Sequence, residues 1–118
     1  MREHPEKIEQ VSLEIANVTE SLQNVRDQIG KQEAVLTLEI VTAKEEAGKP
    51  LYPNESLRNA ALTLLKDQSE ELQKLIFEER AYEKKRAEFF ASLERLRLEF
   101  KLFLIDKQIE IGSAAETD

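Results

Sequence analysis

Residues 54–109 read NESLRNAALTLLKDQSEELQKLIFEERAYEKKRAEFFASLERLRLEFKLFLIDKQI, and this stretch decides the fold. It contains neither Pro nor Gly, the two residues that most weaken a helix interior. Pro50 and Pro53 precede it, and Asn54 is a favourable N-cap residue. The sequence therefore predicts one continuous second helix over 54–109, which would be roughly 80 Å long at 1.5 Å per residue.

Apolar residues in this stretch follow a heptad. The a positions are Leu65, Leu72, Glu79, Arg86, Leu93 and Phe100. The d positions are Ala61, Gln68, Leu75, Tyr82, Phe89, Leu96 and Phe103. Further apolar residues fill e positions, namely Leu62, Ile76, Phe90 and Leu104. An apolar face of this width favours a bundle of three or four helices over a two-stranded coiled coil.

A first helix is predicted over about 6–47. Pro5 and Glu6 suit its first turn. Its apolar residues alternate strictly between spacings of three and four, as in a coiled coil. These residues are Ile8, Val11, Ile15, Val18, Leu22, Val25 and Ile29. Gly48 is placed as a helix C-cap, so residues 48–53 form the connection between antiparallel helices.

The heptad of the first helix slips near Gly30. The next apolar members are Leu36, Ile40, Ala43 and Ala47, with Gln32 and Glu33 between. One interpretation is a continuous helix with a four-residue stutter, which locally unwinds a supercoil. The other is a break at Gly30 that gives three helices.

Composition indicates a single helical domain over residues 1–111 with a disordered tail over 112–118. Charged residues make up 35% of the chain, which is typical of long helices. There is no Cys, so disulfides and thiolate metal sites are excluded. No apolar run is long enough to span a membrane, and the first residues are too polar for a signal peptide. We therefore expect a cytoplasmic protein.

The end of the predicted second helix extends beyond the start of the first helix, which is its predicted neighbour. If the first helix starts near residue 6, residues 97–109 have no partner within the hairpin, although they include Phe100, Phe103 and Leu104. A homodimer packed antiparallel about Tyr82 would cover them and form an elongated four-helix bundle. Glu79 would then meet Arg86 of the second copy and set the register. Alternatively, both charged side chains extend to solvent, and a parallel dimer or a different protein partner stays open. The predicted interface consists of Tyr82, Phe89, Phe90, Leu93, Leu96, Phe100, Phe103 and Leu104.

Motifs for catalysis are lacking. The chain has one His, no Gly-rich phosphate loop and no Glu-x-x-His pair for a di-metal bundle. We therefore expect no enzymatic activity, no cofactor and no metal ion. The function that remains is protein–protein interaction, as an adaptor, an assembly factor or an inhibitor of a macromolecular partner.

The alternative function is accessory nucleic-acid binding. The net charge of −7 disfavours it, because binding to phosphates draws on basic groups. Residues 80–107 nevertheless hold 8 basic and 5 acidic side chains. The candidate contacts, which also include the register residue Arg86, are Arg80, Lys84, Lys85, Arg95, Arg97 and Lys101.

The start of the second helix carries a family resemblance. Tyr52-Pro53-Asn54-Glu55-Ser56-Leu57-Arg58 is followed by Asp67 and a long charged helix. This run resembles small uncharacterised bacterial and phage proteins in which Asn, then Arg four residues later, open the second helix. The aromatic residue expected soon after Asp67 is missing here. The resemblance implies a helical hairpin with a phage-related or accessory role and no activity. From the residues alone, Asn54 is predicted to cap the helix and Arg58 to reach back to the loop; the alternative is that the two residues form a functional surface patch.

Overall fold

The computed structural model describes residues 3–116, and they form three α-helices. Helix α1 is Glu3–Thr42, α2 is Glu55–Gln68 and α3 is Glu70–Glu116. The described residues form no strand; one isolated antiparallel bridge joins Lys44 to Pro50. The all-α fold class is thus confirmed. No helix within this range is long and apolar enough to cross a membrane.

The chain divides into two compact units. Unit 1 consists of the residues up to Glu20 and those from Glu83 onward, and unit 2 is Ser21–Tyr82. In unit 1, His4 lies beside Glu99 and Thr19 lies beside Arg86, so α1 and α3 run antiparallel. In unit 2, Glu33 lies beside Lys66 and Lys44 beside Pro50, which again is an antiparallel hairpin.

Helix α1 buries the stripe that its spacing predicts. In unit 1, Val18 is buried and Ile8, Val11 and Ile15 are half-buried. In unit 2, Leu22, Val25 and Ile29 are buried. Gly30 lies inside the helix, which continues through the slip in the pattern to Thr42. The continuous interpretation is therefore correct. At the slip, Glu33 forms an ion pair with Lys66 of α2 at 3.5 Å, so a charged pair stands where the apolar stripe is interrupted.

Both ends of α1 differ from the prediction. The helix begins at Glu3 rather than residue 6, since Pro5 in the first turn needs no backbone donor. It ends at Thr42 rather than residue 47, after the β-branched residues Ile40, Val41 and Thr42, which have low helix propensity.

Residues 43–51 form a small hairpin instead of the last turn of α1. The amide of Gly48 donates to the carbonyl of Glu45 at 2.9 Å, and the amide of Glu45 donates to the carbonyl of Lys49 at 2.8 Å. Gly48 has a φ of +84°, as expected for a three-residue hairpin loop with a glycine bulge. Gly48 thus acts in this turn rather than as the predicted cap of α1.

The predicted second helix is broken at Ser69, and this is the main correction to the fold. Ser69 has an extended backbone, with φ −78° and ψ 106°, and ends α2. Its amide donates to the carbonyls of Leu65 and Lys66, while its Oγ accepts from the amide of Leu72 at 3.2 Å. One serine therefore closes α2 and caps α3, and its local hydrogen bonds replace those of a continuous helix.

Helix α3 also extends beyond its predicted end. It continues through Gly112 to Glu116, where a disordered tail was predicted from residue 112. No Pro follows Ile109, and Gly112 does not adopt the positive φ of a helix C-cap. The part of the tail prediction that concerns residues 117 and 118 lies outside the described residues.

Each unit has its own small core. In unit 2, Val25 and Ile29 of α1 pack with Leu72 and Leu75 of α3, and Tyr82 lies against this cluster. Leu72 is fully buried, so the break at Ser69 directly precedes the most deeply buried part of α3. In unit 1, Val18 and Leu93 are buried.

Candidate interaction surface

Most of the predicted interface residues have a role inside their own chain. Tyr82 packs against the core of unit 2, and Leu93 is only 6% exposed. Half-buried positions on α3 of unit 1 are Phe89, Leu96, Phe100 and Phe103. Phe90 and Leu104 remain exposed. The a and d positions of α3 therefore face α1, and a role for this set in association stays a prediction.

His4 ties the start of α1 to α3. Its ring lies 6.0 Å from the ring of Phe100 and 6.2 Å from that of Phe103, and it stacks on the latter. Its Nε2 is 3.8 Å from Oε2 of Glu99. Because α1 begins earlier than predicted, Phe100 and Phe103 gain an in-chain neighbour. The predicted unpartnered segment therefore starts near Leu104 instead of residue 97.

The two charges predicted to set the register also have partners in their own chain. In unit 2, Oε2 of Glu79 lies 3.4 Å from Nε of Arg26. In unit 1, Nε of Arg86 donates to Oγ1 of Thr19 at 3.0 Å, and its guanidinium lies 5.2 Å from the centre of the Phe90 ring. Glu79 and Arg86 thus each contact α1 of their own chain, and their pairing across a dimer stays a prediction.

A second apolar stripe lies on α3, and the sequence reasoning missed it. Leu98, Leu102, Ile105 and Ile109 are 40–62% exposed. Their spacings are four, three and four residues, which places them within an arc of about 60° on a helix with 3.6 residues per turn. Leu93, Leu96 and Phe100 lie on the opposite side of the same helix. We call Leu98, Leu102, Ile105 and Ile109 the outer seam of α3.

The end of α3 is therefore apolar on more than one side. Leu104 and Ile111 are 45% and 70% exposed and lie away from the outer seam, beyond the part of α3 that His4 contacts. A helix with apolar residues all round is usually buried. The signal for the outer seam was present in the sequence, as a second heptad in the c and f positions, but the stronger a and d pattern concealed it.

The basic residues form no single stripe. Lys84, Lys85, Arg95, Arg97 and Lys101 are exposed, but their spacing distributes them around α3 in unit 1. Acidic residues alternate with them, for example Glu88, Glu94 and Glu99. In unit 2, Arg80 is exposed as well. This arrangement lacks the one-sided basic patch typical of nucleic-acid binding.

The start of α2 has the predicted local chemistry. The side chain of Asn54 accepts a hydrogen bond from the amide of Leu57 at 2.8 Å, which confirms the cap. Nη1 of Arg58 donates to the carbonyl of Tyr52 at 3.4 Å, so Arg58 does reach back to the loop. Both residues of the motif therefore stabilise the helix start.

Within residues 3–116, no group of three or more His, Asp or Glu side chains could hold a metal ion. Grooves line the helices of unit 1. One of these grooves has a volume of about 560 Å³ and is lined by α3 alone, including Phe90, Ala91 and Glu94. An open groove on one helix is the shape that another helix would fill, not a pocket that encloses a small molecule.

The sequence matches no protein-family model, and no curated protein or solved structure is significantly similar to it.

Proposed function

We propose that this chain is a non-enzymatic protein–protein interaction module that acts as an adaptor, an assembly factor or an inhibitor of a macromolecular partner. The observation that carries the proposal is the exposed apolar end of α3. The four residues of the outer seam, Leu98, Leu102, Ile105 and Ile109, are 40–62% exposed there. Contiguous apolar surface of this kind on a water-exposed helix marks a site of association.

The geometry favours a helical partner. Leu and Ile at alternate spacings of three and four form the recognition pattern of a helix that packs on another helix. Burying each such side chain is worth about 1.5–3 kcal/mol. The alternative, nucleic-acid binding, has less support because the basic residues point in several directions among acidic ones.

Affinity capture with matched variants tests the proposal. The full chain, the double variant Leu102→Glu with Ile105→Glu, and the control Leu13→Glu would each be tagged and used as bait. Leu13 is 55% exposed on α1 and lies outside the outer seam, so its variant controls for an added surface charge. We expect a bound protein, whether another copy or a different chain, to be retained by the wild type and Leu13→Glu and lost by the double variant.

Two results would contradict the proposal. One is that the double variant retains every protein that the wild type binds. The other is that nuclease treatment releases the bound material and that its binding falls steeply with salt, which is the behaviour of phosphate contacts.

A further inference from the structure

The outer seam continues beyond its four large side chains. With the same alternation of three and four residues, Arg95 and Ala91 precede Leu98, and Gly112 follows Ile109. All three are exposed, and all lie in unit 1. From Ala91 to Gly112 the seam is roughly 33 Å long at 1.5 Å per residue. It is thus a heptad seam of about three repeats on the side of α3 that faces away from α1.

We infer that this seam packs antiparallel on the same seam of a second copy, about a two-fold axis between Phe103 and Leu104. The inference rests on the proposed function and names its partner. The seam positions from Arg95 to Gly112 are symmetric about this point, so the axis brings Leu98 opposite Ile109 of the second copy and Leu102 opposite Ile105. Every large apolar residue of the seam then meets another one, as an isologous interface requires.

Arg95 and Gly112 determine the direction of pairing. Arg95 is the one charged residue among the seam positions from Ala91 to Gly112. In a parallel pair it would face Arg95 of the second copy, and like charges repel. In the antiparallel pair it lies opposite Gly112, where the missing side chain leaves room for the apolar stem of the arginine.

The antiparallel pair also gives a reason for Gly112. A glycine within a helix weakens that helix, and Gly112 lies within α3. No atom of the chain's own packing lies within 4 Å of where a Cβ would stand at Gly112. Folding of the single chain therefore does not require a glycine there, whereas close approach of Arg95 from a second copy does.

Flanking charges do not decide the orientation. The antiparallel axis places Arg95 near Glu110 of the second copy, which is attractive, and Glu99 near Asp106, which is repulsive. Both kinds of pair are solvent-exposed and contribute little. The orientation therefore depends on the contact between Arg95 and Gly112 and on the match of Leu with Ile.

The area of the seam indicates a dimer of low affinity. Its four Leu and Ile side chains, with Ala91 and the stems of neighbouring charged residues, would bury roughly 500 Å² per copy, or about 1,000 Å² for the pair, the lower limit for a specific interface. We therefore expect a weak dimer that dissociates on dilution, because interfaces of this size belong to weak or transient associations.

Sedimentation of the full chain over a concentration series tests the pairing. We expect the wild type and Leu13→Glu to shift from monomer to dimer together, and the variant Leu102→Glu with Ile105→Glu to dimerise at least tenfold more weakly while its helix content stays unchanged. A wild type that remains monomeric at several hundred micromolar, or a double variant that dimerises as the wild type does, overturns the inference. A monomeric result would leave the proposed function standing if the capture experiment still finds a different partner protein.

Cysteine cross-linking tests the direction, because the chain has no cysteine of its own. Leu98→Cys and Ile109→Cys would be prepared separately and then mixed under oxidising conditions. Antiparallel pairing predicts a disulfide between the two different variants and little in either alone, since a disulfide needs Cα atoms within about 7 Å. A disulfide formed by Leu98→Cys alone would show parallel pairing and overturn the proposed axis.

We also expect Gly112→Leu to weaken dimerisation at least tenfold; an unchanged dimer would remove the role assigned to Gly112.

Discussion

At the scale of single residues, Gly48 has a φ of +84°, which a residue with a Cβ rarely adopts, whereas Gly30 lies in α1 with open space around it. We therefore expect opposite effects of alanine. Gly48→Ala should lower the free energy of unfolding by about 1 kcal/mol, since it forces a strained backbone. Gly30→Ala should raise it by about 0.5–1 kcal/mol. Urea denaturation measures both changes in the free energy of unfolding, and two changes of the same sign would contradict the roles assigned to these glycines.

Leu93 and Leu98 form a second matched pair, on opposite sides of α3 in unit 1. Leu93 is 6% exposed and Leu98 is 57% exposed. Leu93→Ala should lower the free energy of unfolding by about 2–4 kcal/mol, because it leaves a cavity in the core of unit 1. At protein concentrations too low for association, Leu98→Ala should change it by about 0.5 kcal/mol or less. A large loss for Leu98→Ala under these conditions would show that the outer seam is covered within the single chain.

At the scale of helices, Ser69 determines where α2 ends and α3 begins. Ser69→Ala removes the hydroxyl that accepts from the amide of Leu72, so we expect it to lower the free energy of unfolding by about 1 kcal/mol. Ser69→Asp keeps a capping oxygen and adds a negative charge at the N-terminus of α3, so it should retain stability. Thermal and urea denaturation would measure both variants. If Ser69→Ala is the more stable of the two variants, the capping oxygen at residue 69 does not stabilise the start of α3.

Periodicity predicted the faces of the helices, but it did not predict where they end. The buried stripe of α1 and the cap at Asn54 follow from spacing and local hydrogen bonding, and the structure has both. The break at Ser69 was missed because the apolar heptad continues across it, although a serine followed by Glu70 and Glu71 is itself a helix-start signal. The end of α1 was placed too late because Gly48 was assigned to a helix cap, and a glycine bulge gives the same signal in a sequence.

At the scale of the whole molecule, a heptad pattern shows that a helix has an apolar face, but not whether another helix of the same chain or a second copy covers that face. The interface predicted for a second copy includes a and d residues of α3 such as Leu93 and Phe100, and its role in association stays a prediction. Within the chain α1 lies along these positions, and the large residues left exposed on α3 follow a weaker pattern at other positions. If a second copy covers the outer seam, unfolding is coupled to dissociation. The thermal midpoint of the wild type should then rise by several degrees for a hundredfold increase in protein concentration. The variant Leu102→Glu with Ile105→Glu should show a midpoint independent of concentration. A constant midpoint for the wild type would mean that the folded chain needs no second copy, and its outer seam would then be available to a different protein.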